Sequence, residues 1–307
     1  MPLLEFVQRM VGPWLMLASS AYYLPPTIFG LIRTRNWSTL FSWSKFQSVW
    51  FSRFWAYMGP EVRTSAEAIV VPLLKGRVSH GRMLEDGEKF ETAPLPVSGT
   101  VIEVGPGSGM WVSVFKEIGI ERPSSNSDGD SSDVRQRKTA ASSSSDVAST
   151  SGGITKIYGV EPNVGNHGAL RQRIHDAGMD DVYEIVPLGV EDVATANIPK
   201  VDCVVTILCL CSIPSPRENI RALYTYLKPG GRMYCFEHVC NRKHWSMYLY
   251  QKFINLFWPH MIGGCELQRD TGRYLREAGP WSNVNLSPVV SEPWFQCVPH
   301  DVGVLTK

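Results

Sequence analysis

The chain has 307 residues, of which 44% are hydrophobic and 19% charged, so it can bury a full core in one large domain or two small ones. Its formal net charge is +1 and the basic residues are scattered, which argues against a nucleic-acid partner. The seven cysteines include no Cys-x-x-Cys pair, and several lie inside apolar runs. This usage indicates buried thiols in a reducing compartment and predicts no metal site.

The N-terminal segment, residues 1–62, is predicted to be an apolar and aromatic helical extension. No residue from Val11 to Ile32 is charged, and this length is close to the roughly 20 residues that span a bilayer. Pro25 and Pro26 break any helix there near Leu24. Four tryptophans then lie among arginines and lysines, as at a membrane interface. The segment therefore spans a membrane, lies on one, or caps the folded domain.

The rest of the chain, residues 63–307, is predicted to form one domain with an insertion at residues 121–153. Serine occupies eleven of those 33 positions and no aromatic residue is present. Such a segment cannot bury enough apolar surface to order itself, so we expect a disordered surface loop. Its cost in stability is small, because loop-closure entropy grows slowly with length.

Around this insertion, apolar strand-like runs alternate with helical patterns, which predicts an α/β fold. The predicted strands are Gly99–Val104, Lys156–Val160, Val182–Pro187, Asp202–Leu210 and Arg232–His238. They lack polar alternation, as is typical of parallel strands buried on both faces. Two late strands, near Asn283–Val290 and Asp301–Leu305, add an antiparallel end. We therefore expect a Rossmann-like sheet of seven strands flanked by helices.

The first of these strands runs into a glycine loop in the stretch VIEVGPGSGMW. The loop carries Gly105, Gly107 and Gly109 at the carboxyl edge of the sheet, where such folds bind nucleotide-like ligands. No Gly-Lys-Ser/Thr follows, which excludes a phosphate-binding loop. Met110 stands where the dinucleotide fingerprint requires glycine. The remaining pattern is E-h-G-x-G-x-G, beginning at Glu103.

The ends of the next two strands also carry acidic residues, which agree with a nucleoside ligand. Glu161 follows the second strand, where a carboxylate can accept both hydrogen bonds of a ribose diol. After the third strand, Val190 can contact an adenine ring, and Glu191 or Asp192 can accept from its amine. A Leu-Lys-Pro-Gly-Gly turn at residues 227–231 then leads into the fifth strand.

This order of motifs resembles class I S-adenosylmethionine-dependent methyltransferases, and the resemblance covers about Thr100–Lys307 apart from the insertion. It implies that Glu103 and the three glycines surround the methionine moiety of S-adenosyl-L-methionine. It further implies that Glu161 holds the ribose, and that Glu191 with Val190 contacts the adenine. At each acidic position, a carboxylate that only caps a helix or faces solvent is the structural alternative.

Three further stretches resemble the membrane-anchored thiol methyltransferase-like family. They are VVTILCLCSIP at Val204–Pro214, MYCFEHV at Met233–Val239 and GGCELQRDT at Gly263–Thr271. The resemblance implies methyl transfer to a small lipophilic acceptor at the cytosolic face of the endoplasmic reticulum or of lipid droplets, with no metal. It favours a sulfur acceptor. The serine-rich insertion departs from the animal members and suggests a fungal branch, for which natural-product tailoring on a carboxylate or hydroxyl is the alternative.

His238 closes the fifth predicted strand and is the candidate general base, the alternative being that it only orients the substrate. Glu237 is expected to face the other way, because side chains alternate along a strand. Cys209 and Cys211, at the end of the fourth predicted strand, are interpreted as packing residues, the alternative being that they line the pocket. The aromatic segment His244–His260 is predicted to be a helix that covers the acceptor side. A NAD-dependent oxidoreductase is disfavoured by the incomplete dinucleotide pattern, and a non-catalytic membrane adaptor stays an alternative.

Overall fold

The computed structural model describes residues 3–85, 88, 94–122 and 152–307. Most of the serine-rich insertion, and with it the prediction of disorder, lies outside the described residues. Its two ends are described and lie side by side. Ile120 forms a parallel β-bridge with Ile154, and the backbone N–H of Glu121 donates to the carbonyl of Ile154 over 2.9 Å. The chain therefore leaves the domain and returns to it at one point.

Four helices form the N-terminal part of the chain. They are α1 (Leu3–Tyr22), α2 (Leu24–Arg33), α3 (Trp37–Leu40) and α4 (Trp43–Leu74). Pro25 and Pro26 fall in the first turn of α2, where a backbone N–H has no helical partner in any case. The helix α4 continues through Pro60 and Pro72. The domain boundary predicted after residue 62 thus falls within one continuous helix, and the division of the chain there stays a prediction.

The centre of the molecule is a seven-stranded sheet, and a two-stranded hairpin of β1 (Val78–Ser79) and β2 (Arg82–Met83) precedes it. The sheet consists of β3 (Gly99–Val104), β4 (Ile154–Val160), β5 (Tyr183–Val186), β6 (Val201–Ile207), β7 (Leu227–His238), β8 (Asn283–Pro288) and β9 (His300–Thr306). Their order is β5-β4-β3-β6-β7-β9-β8, and β9 runs antiparallel to both of its neighbours. The predicted Rossmann-like sheet with an antiparallel end is confirmed. The strand order reverses between β3 and β6, and such a switch point opens a crevice at the carboxyl ends of the strands.

The remaining helices connect the strands. They are α5 (Val112–Ile118), α6 (Val164–Asp176), the 3₁₀ turn Val190–Ala196, α7 (Pro216–Tyr226), α8 (Trp245–Ile254), α9 (Trp258–Met261) and α10 (Thr271–Arg276). The segment predicted as one helix over His244–His260 is therefore two helices, α8 and α9. Both belong to the excursion between β7 and β8.

Alternating strand residues enter two separate cores. Val101 packs with Phe115 of α5 on one face, and Ile102 packs with Ile220 of α7 on the other. Burial of one such side chain contributes about 1.5–3 kcal/mol. This two-sided burial explains why the strand sequences read as unbroken apolar runs.

The Leu-Lys-Pro-Gly-Gly stretch lies inside β7, at its start. Val201 pairs with Leu227 but Cys203 pairs with Arg232, so the register between β6 and β7 shifts across residues 228–231. This irregularity occurs at the beginning of both strands. It therefore lies at the opposite edge of the sheet from the glycine loop.

The helix α1 packs against the excursion after β7. The indole Nε1 of Trp14 donates to the hydroxyl of Tyr250 over 2.9 Å, and the hydroxyl of Ser20 donates to the carbonyl of Met261 over 2.6 Å. Leu17 is buried in the same cluster as residues of α8 and α9. The N-terminal extension and the segment that covers the carboxyl edge of the sheet thus share one core.

Candidate functional site

The glycine loop after β3 has a backbone that side chains rarely adopt. Gly105, Gly107 and Gly109 have φ values of +63°, +57° and +84°. A Cβ on Gly105 would lie 2.8 Å from the Cβ of Cys209, and one on Gly109 would lie 2.7 Å from the Cδ1 of Leu170. A Cβ on Gly107 would meet no described heavy atom within 4 Å. Gly105 and Gly109 therefore pack on the protein, whereas Gly107 borders open space.

Glu161, which follows β4, holds this loop in place. Its Oε2 accepts the backbone N–H of Gly107 over 2.8 Å, and its Oε1 accepts the N–H of Asn163 over 2.9 Å and the Nδ2 of Asn166 over 3.3 Å. Burial raises the pKa of Glu161, and these hydrogen bonds oppose the rise. A carboxylate has about four acceptor positions. Three of these positions are used, so one remains for a ligand hydroxyl. To accept both hydroxyls of a diol, Glu161 would have to lose one of its three hydrogen bonds within the protein.

Glu103 points into the core. Its Oε2 accepts the hydroxyl of Tyr183 on β5 over 2.5 Å, across the intervening strand β4. Gly159 of β4 lies in this path, and a Cβ there would be 2.4 Å from the Tyr183 hydroxyl. Burial raises the pKa of Glu103 to about 7, despite the hydrogen bond from Tyr183. The carboxylate joins β3 to β5, and its predicted contact with the methionine moiety stays a prediction.

Val190 and Glu191 begin the 3₁₀ turn that follows β5. Val190 is buried in the core on the α7 face, whereas Glu191 is exposed. A Cβ on Gly189 would lie 2.5 Å from the Glu191 carboxylate, so this side chain folds back over the backbone that leads into the turn. The predicted adenine residues thus lie at the end of β5, the strand beside β4.

The loop after β6 is fixed by Glu237, which is fully buried. The strand β6 ends at Ile207 and Leu208 has a φ of +53°, so Cys209 and Cys211 lie in a loop, not on the predicted strand. The two carboxylate oxygens of Glu237 accept the backbone N–H groups of Cys209 over 3.2 Å and of Leu210 over 3.1 Å. Burial raises the pKa of Glu237 to about 7. No role in holding this loop was predicted for Glu237 from the sequence.

His238 is the last residue of β7 and is 4% exposed. Its Nε2 lies 2.9 Å from the Sγ of Cys265, and its Nδ1 is buried with no hydrogen-bond partner among the described residues. The Sγ atoms of Cys211 and Cys265 and a ring nitrogen of His238 all lie within 4.8 Å of one another. The predicted base thus belongs to a buried Cys-His-Cys cluster, which we call the CHC cluster.

The CHC cluster could not be recognised from the sequence, because its members come from three separate segments. Cys211 lies in the loop after β6, His238 ends β7, and Cys265 follows α9. His238 and Cys265 are 27 residues apart in the chain. The one available signal was that Cys211 and Cys265 both fall in the stretches that carry the family resemblance. Cys211 was interpreted only as a packing residue.

A glycine loop lies at the switch point of the Rossmann-like sheet and is hydrogen-bonded to an acid at the next strand end. A family model described as "Methyltransferase domain" matches residues 80–278, which is more than half of the chain. The chain belongs to this methyltransferase family.

Curated relatives match a shorter region of this methyltransferase. Thiol S-methyltransferase TMT1B of Rattus norvegicus is 33% identical over 109 residues, which are 35% of this chain and 44% of the relative. Thiol S-methyltransferase TMT1A of Homo sapiens is 31% identical over 109 residues, with the same two shares. The matched region thus spans less than half the length of these relatives.

Among solved structures, the fold is similar to an O-methyltransferase family protein from Burkholderia thailandensis. The TM-score is 0.49 at 13% sequence identity, with 96% of this chain and 71% of that chain covered. A likeness this distant carries no information on the acceptor.

Proposed function

We propose that this methyltransferase transfers the methyl group of S-adenosyl-L-methionine to a small lipophilic thiol. The observation that carries the proposal is the loop after β3, where the N–H of Gly107 is bonded to Glu161 and its Cα borders open space. These residues fit the cofactor, because a backbone without a side chain and a carboxylate with one free acceptor position adjoin the same space. Bound there, the cofactor supplies an electrophilic methyl group.

The proposed contacts follow the strand ends in order. Gly105, Gly107 and Gly109 line the methionine part, Glu161 accepts from the ribose, and the turn that begins at Val190 and Glu191 receives the adenine. The buried carboxylate of Glu103 supports the loop from within the core. No nucleic acid and no partner protein are part of this proposal.

Catalysis then depends mainly on position. The acceptor atom, the methyl carbon and the cofactor sulfur must be nearly in line, and holding two reactants in this way can supply most of the acceleration. The helices α8 and α9, which follow β7, lie on the acceptor side and exclude water from it. A thiol ionises with a pKa of about 8.5, so it needs little base catalysis. A general base at His238 is required only for the alternative acceptor, a hydroxyl.

Sulfur is proposed as the acceptor atom because the curated relatives are named thiol S-methyltransferases. Their match covers 35% of this chain. A carboxylate or hydroxyl acceptor in natural-product biosynthesis is the second candidate. Incubation with cofactor labelled in the methyl group and with thiols, carboxylic acids and phenols of matched chain length tests both. We expect label in the thioether products. Binding of NAD in place of the cofactor would overturn the proposal.

An apolar surface on the N-terminal helices supports association with a membrane. One stretch of the described residues, Leu3–Arg33, is long and apolar enough to cross a bilayer. One face of α1 nevertheless packs on the domain through Phe6, Met10, Trp14 and Leu17. A neighbouring face of the same helix is exposed and apolar at Leu4, Val7, Val11, Leu15 and Tyr22. This spacing of three, four and seven residues places them on one side of a helix.

The exposed stripe continues onto α8. Trp245, Leu249, Phe253, Leu256 and Phe257 are exposed on and just after this helix. The ring of Trp14 in α1 lies 5.7 Å from that of Phe253 and 6.2 Å from that of Phe257, so the two stripes are contiguous. We propose that α1 and α8 lie together in the interface of a membrane, on its cytosolic side, in the manner of amphipathic helices. The endoplasmic reticulum and lipid droplets are the membranes proposed, and a lipophilic acceptor then reaches the site directly from the lipid.

A further inference from the structure

We propose that Cys211, His238 and Cys265 bind one zinc-type divalent cation, and that the sulfur of the acceptor takes its fourth coordination position. The second half of this proposal rests on the proposed methyl transfer to a thiol, whereas the first half does not. The site is the CHC cluster, at the carboxyl ends of β6 and β7.

The donor set is that of a zinc site. Thiolates and imidazoles prefer Zn²⁺ over Mg²⁺ or Ca²⁺, and catalytic zinc has three protein ligands with one position left for water or substrate. With Zn–S bonds near 2.3 Å and Zn–N bonds near 2.0 Å, tetrahedral ligand atoms lie roughly 3.5–3.8 Å apart. The three donor atoms of the cluster already lie within 4.8 Å of one another, and the His238–Cys265 pair is 2.9 Å apart. Adjustments of about 1 Å or less bring them to this geometry.

Burial and charge favour the binding of a cation by the CHC cluster. Cys211, His238 and Cys265 are 3%, 4% and 7% exposed. Two thiolates and one divalent cation sum to zero charge, so the occupied cluster avoids the cost of an unpaired buried charge. A neutral imidazole binds a metal through one ring nitrogen while the other carries the proton, so His238 adds no charge to the cluster.

The surrounding groups hold the ligands as in known metal sites, where outer hydrogen bonds orient the ligand atoms. The indole Nε1 of Trp258 donates to the Sγ of Cys265 over 3.1 Å. The guanidinium of Arg269 donates to the carbonyls of Leu210 over 2.8 Å and of Ile213 over 2.6 Å. These two carbonyls flank Cys211, so its loop is fixed on both sides.

The loop that carries Cys211 also contacts the glycine loop of the proposed cofactor site. Cys209, two residues before Cys211, packs against Gly105 of the glycine loop, since a Cβ there would lie 2.8 Å from that of Cys209. A thiol that coordinates a cation loses its proton at neutral pH, here to solvent. Its sulfur then forms the new S–CH₃ bond as the methyl–sulfonium bond breaks, and the electron pair stays on the cofactor sulfur. The products are a neutral thioether, which is a weaker ligand than the thiolate, and S-adenosylhomocysteine.

Metal binding is tested on the full chain with Co²⁺ as the probe. Thiolate ligands give Co²⁺ an intense charge-transfer band, and we expect one equivalent of Co²⁺ to produce it and one equivalent of Zn²⁺ to abolish it. Cys211→Ala and Cys265→Ala are expected to weaken Co²⁺ binding at least tenfold. Cys235→Ala is the matched control, because Cys235 is an equally buried thiol of β7 that packs in the core on the α7 face. We expect it to keep the band.

The absence of a thiolate band in the wild-type protein would overturn the proposal, and this result does not depend on how the variants fold. The proposal would also be overturned if the band persisted in both Cys211→Ala and Cys265→Ala while each variant still unfolded in a cooperative thermal transition.

The acceptor position is tested on the Co²⁺-loaded protein without any cofactor. Hexanethiol is expected to increase the charge-transfer intensity, because it adds a thiolate ligand, and hexanol is not. An unchanged spectrum with hexanethiol would remove the acceptor from the metal. Failure of the methyl transfer itself is detected separately, by incubating the protein with methyl-labelled cofactor and hexanethiol.

Discussion

The backbone N–H of Gly107 donates to the carboxylate of Glu161 over 2.8 Å, so the glycine loop after β3 and the acid after β4 form one unit. The conformation of the loop depends on the acid, and the position of the acid depends on the loop. Substitutions at either residue should therefore alter cofactor binding, for reasons that can be separated by experiment.

Gly107→Ala is expected to weaken the binding of S-adenosylhomocysteine at least tenfold. The new Cβ occupies the open space beside the loop, and the φ of +57° adds about 1–2 kcal/mol of strain. Gly178→Ala is the matched control, because its φ is +66° and a Cβ there also meets no described atom within 4 Å. Calorimetry and thermal unfolding should show similar losses of stability but a loss of affinity only at Gly107. Equal affinities would refute the assignment of the loop.

Glu161→Gln is expected to weaken the same ligand about tenfold or more. A hydrogen bond to a charged group contributes about 1.5–3 kcal/mol, and the amide has one acceptor oxygen in place of two. Glu184→Gln, at an exposed carboxylate on β5, serves as the control for loss of one negative charge. If the dissociation constant measured by calorimetry is the same for both variants, Glu161 does not hold the ribose.

Glu103→Gln is expected to remove a pH dependence of stability. Burial raises the pKa of Glu103 from 4.5 to about 7, so the folded protein keeps the proton to a higher pH than the unfolded chain. The contribution of Glu103 to the free energy of unfolding is fully present below pH 4.5 and is lost as the pH rises through 7. One pKa unit equals about 1.36 kcal/mol, so the loss is on the order of 3 kcal/mol.

The glutamine variant cannot ionise and keeps an acceptor for the Tyr183 hydroxyl. Urea unfolding at pH 5 and pH 8 should show its free energy of unfolding rising relative to that of the wild type. Glu184→Gln should show no such relative gain. A difference of the opposite sign at Glu103 would mean that the carboxylate is ionised in the core.

Leu15→Asp is expected to reduce binding to phospholipid vesicles about tenfold or more. Leu15 is 61% exposed on the apolar face of α1, so the change leaves the core intact but removes roughly 2 kcal/mol of apolar burial in lipid. Val290→Asp is the control, because Val290 is 66% exposed and lies outside the surface formed by α1 and α8. Sedimentation with vesicles measures both variants. Equal sedimentation would show that α1 does not face the membrane.

Much of the fold could be predicted from the sequence because the decisive signals are local. The runs from Gly99 to Val104 and from Lys156 to Val160 are mostly apolar and lack polar alternation, as is typical of a strand buried on both faces. The glycine loop could also be predicted, because few residue types other than glycine adopt the positive φ values found at residues 105, 107 and 109.

The contacts that cross the fold could not be predicted in the same way. Nothing near Glu103 in the chain indicates that Tyr183, 80 residues later, takes its carboxylate into the core. No local pattern predicts the contact between Cys265 and His238 either. This contact depends on how the segment after β7 returns to the sheet. Periodicity reports which face a residue occupies, and pairing across elements is decided by packing.

The paired ends of the serine-rich segment make it a natural point for altering the chain. Ile120 and Ile154 are bridged, and the N–H of Gly99 donates to the carbonyl of Gly153 over 3.0 Å, at the edge of the sheet opposite the glycine loop. A short linker from Arg122 to Gly152 would bridge ends that are already neighbours. A fluorescent or affinity module spliced into the same position would be attached at the edge of the sheet opposite the glycine loop.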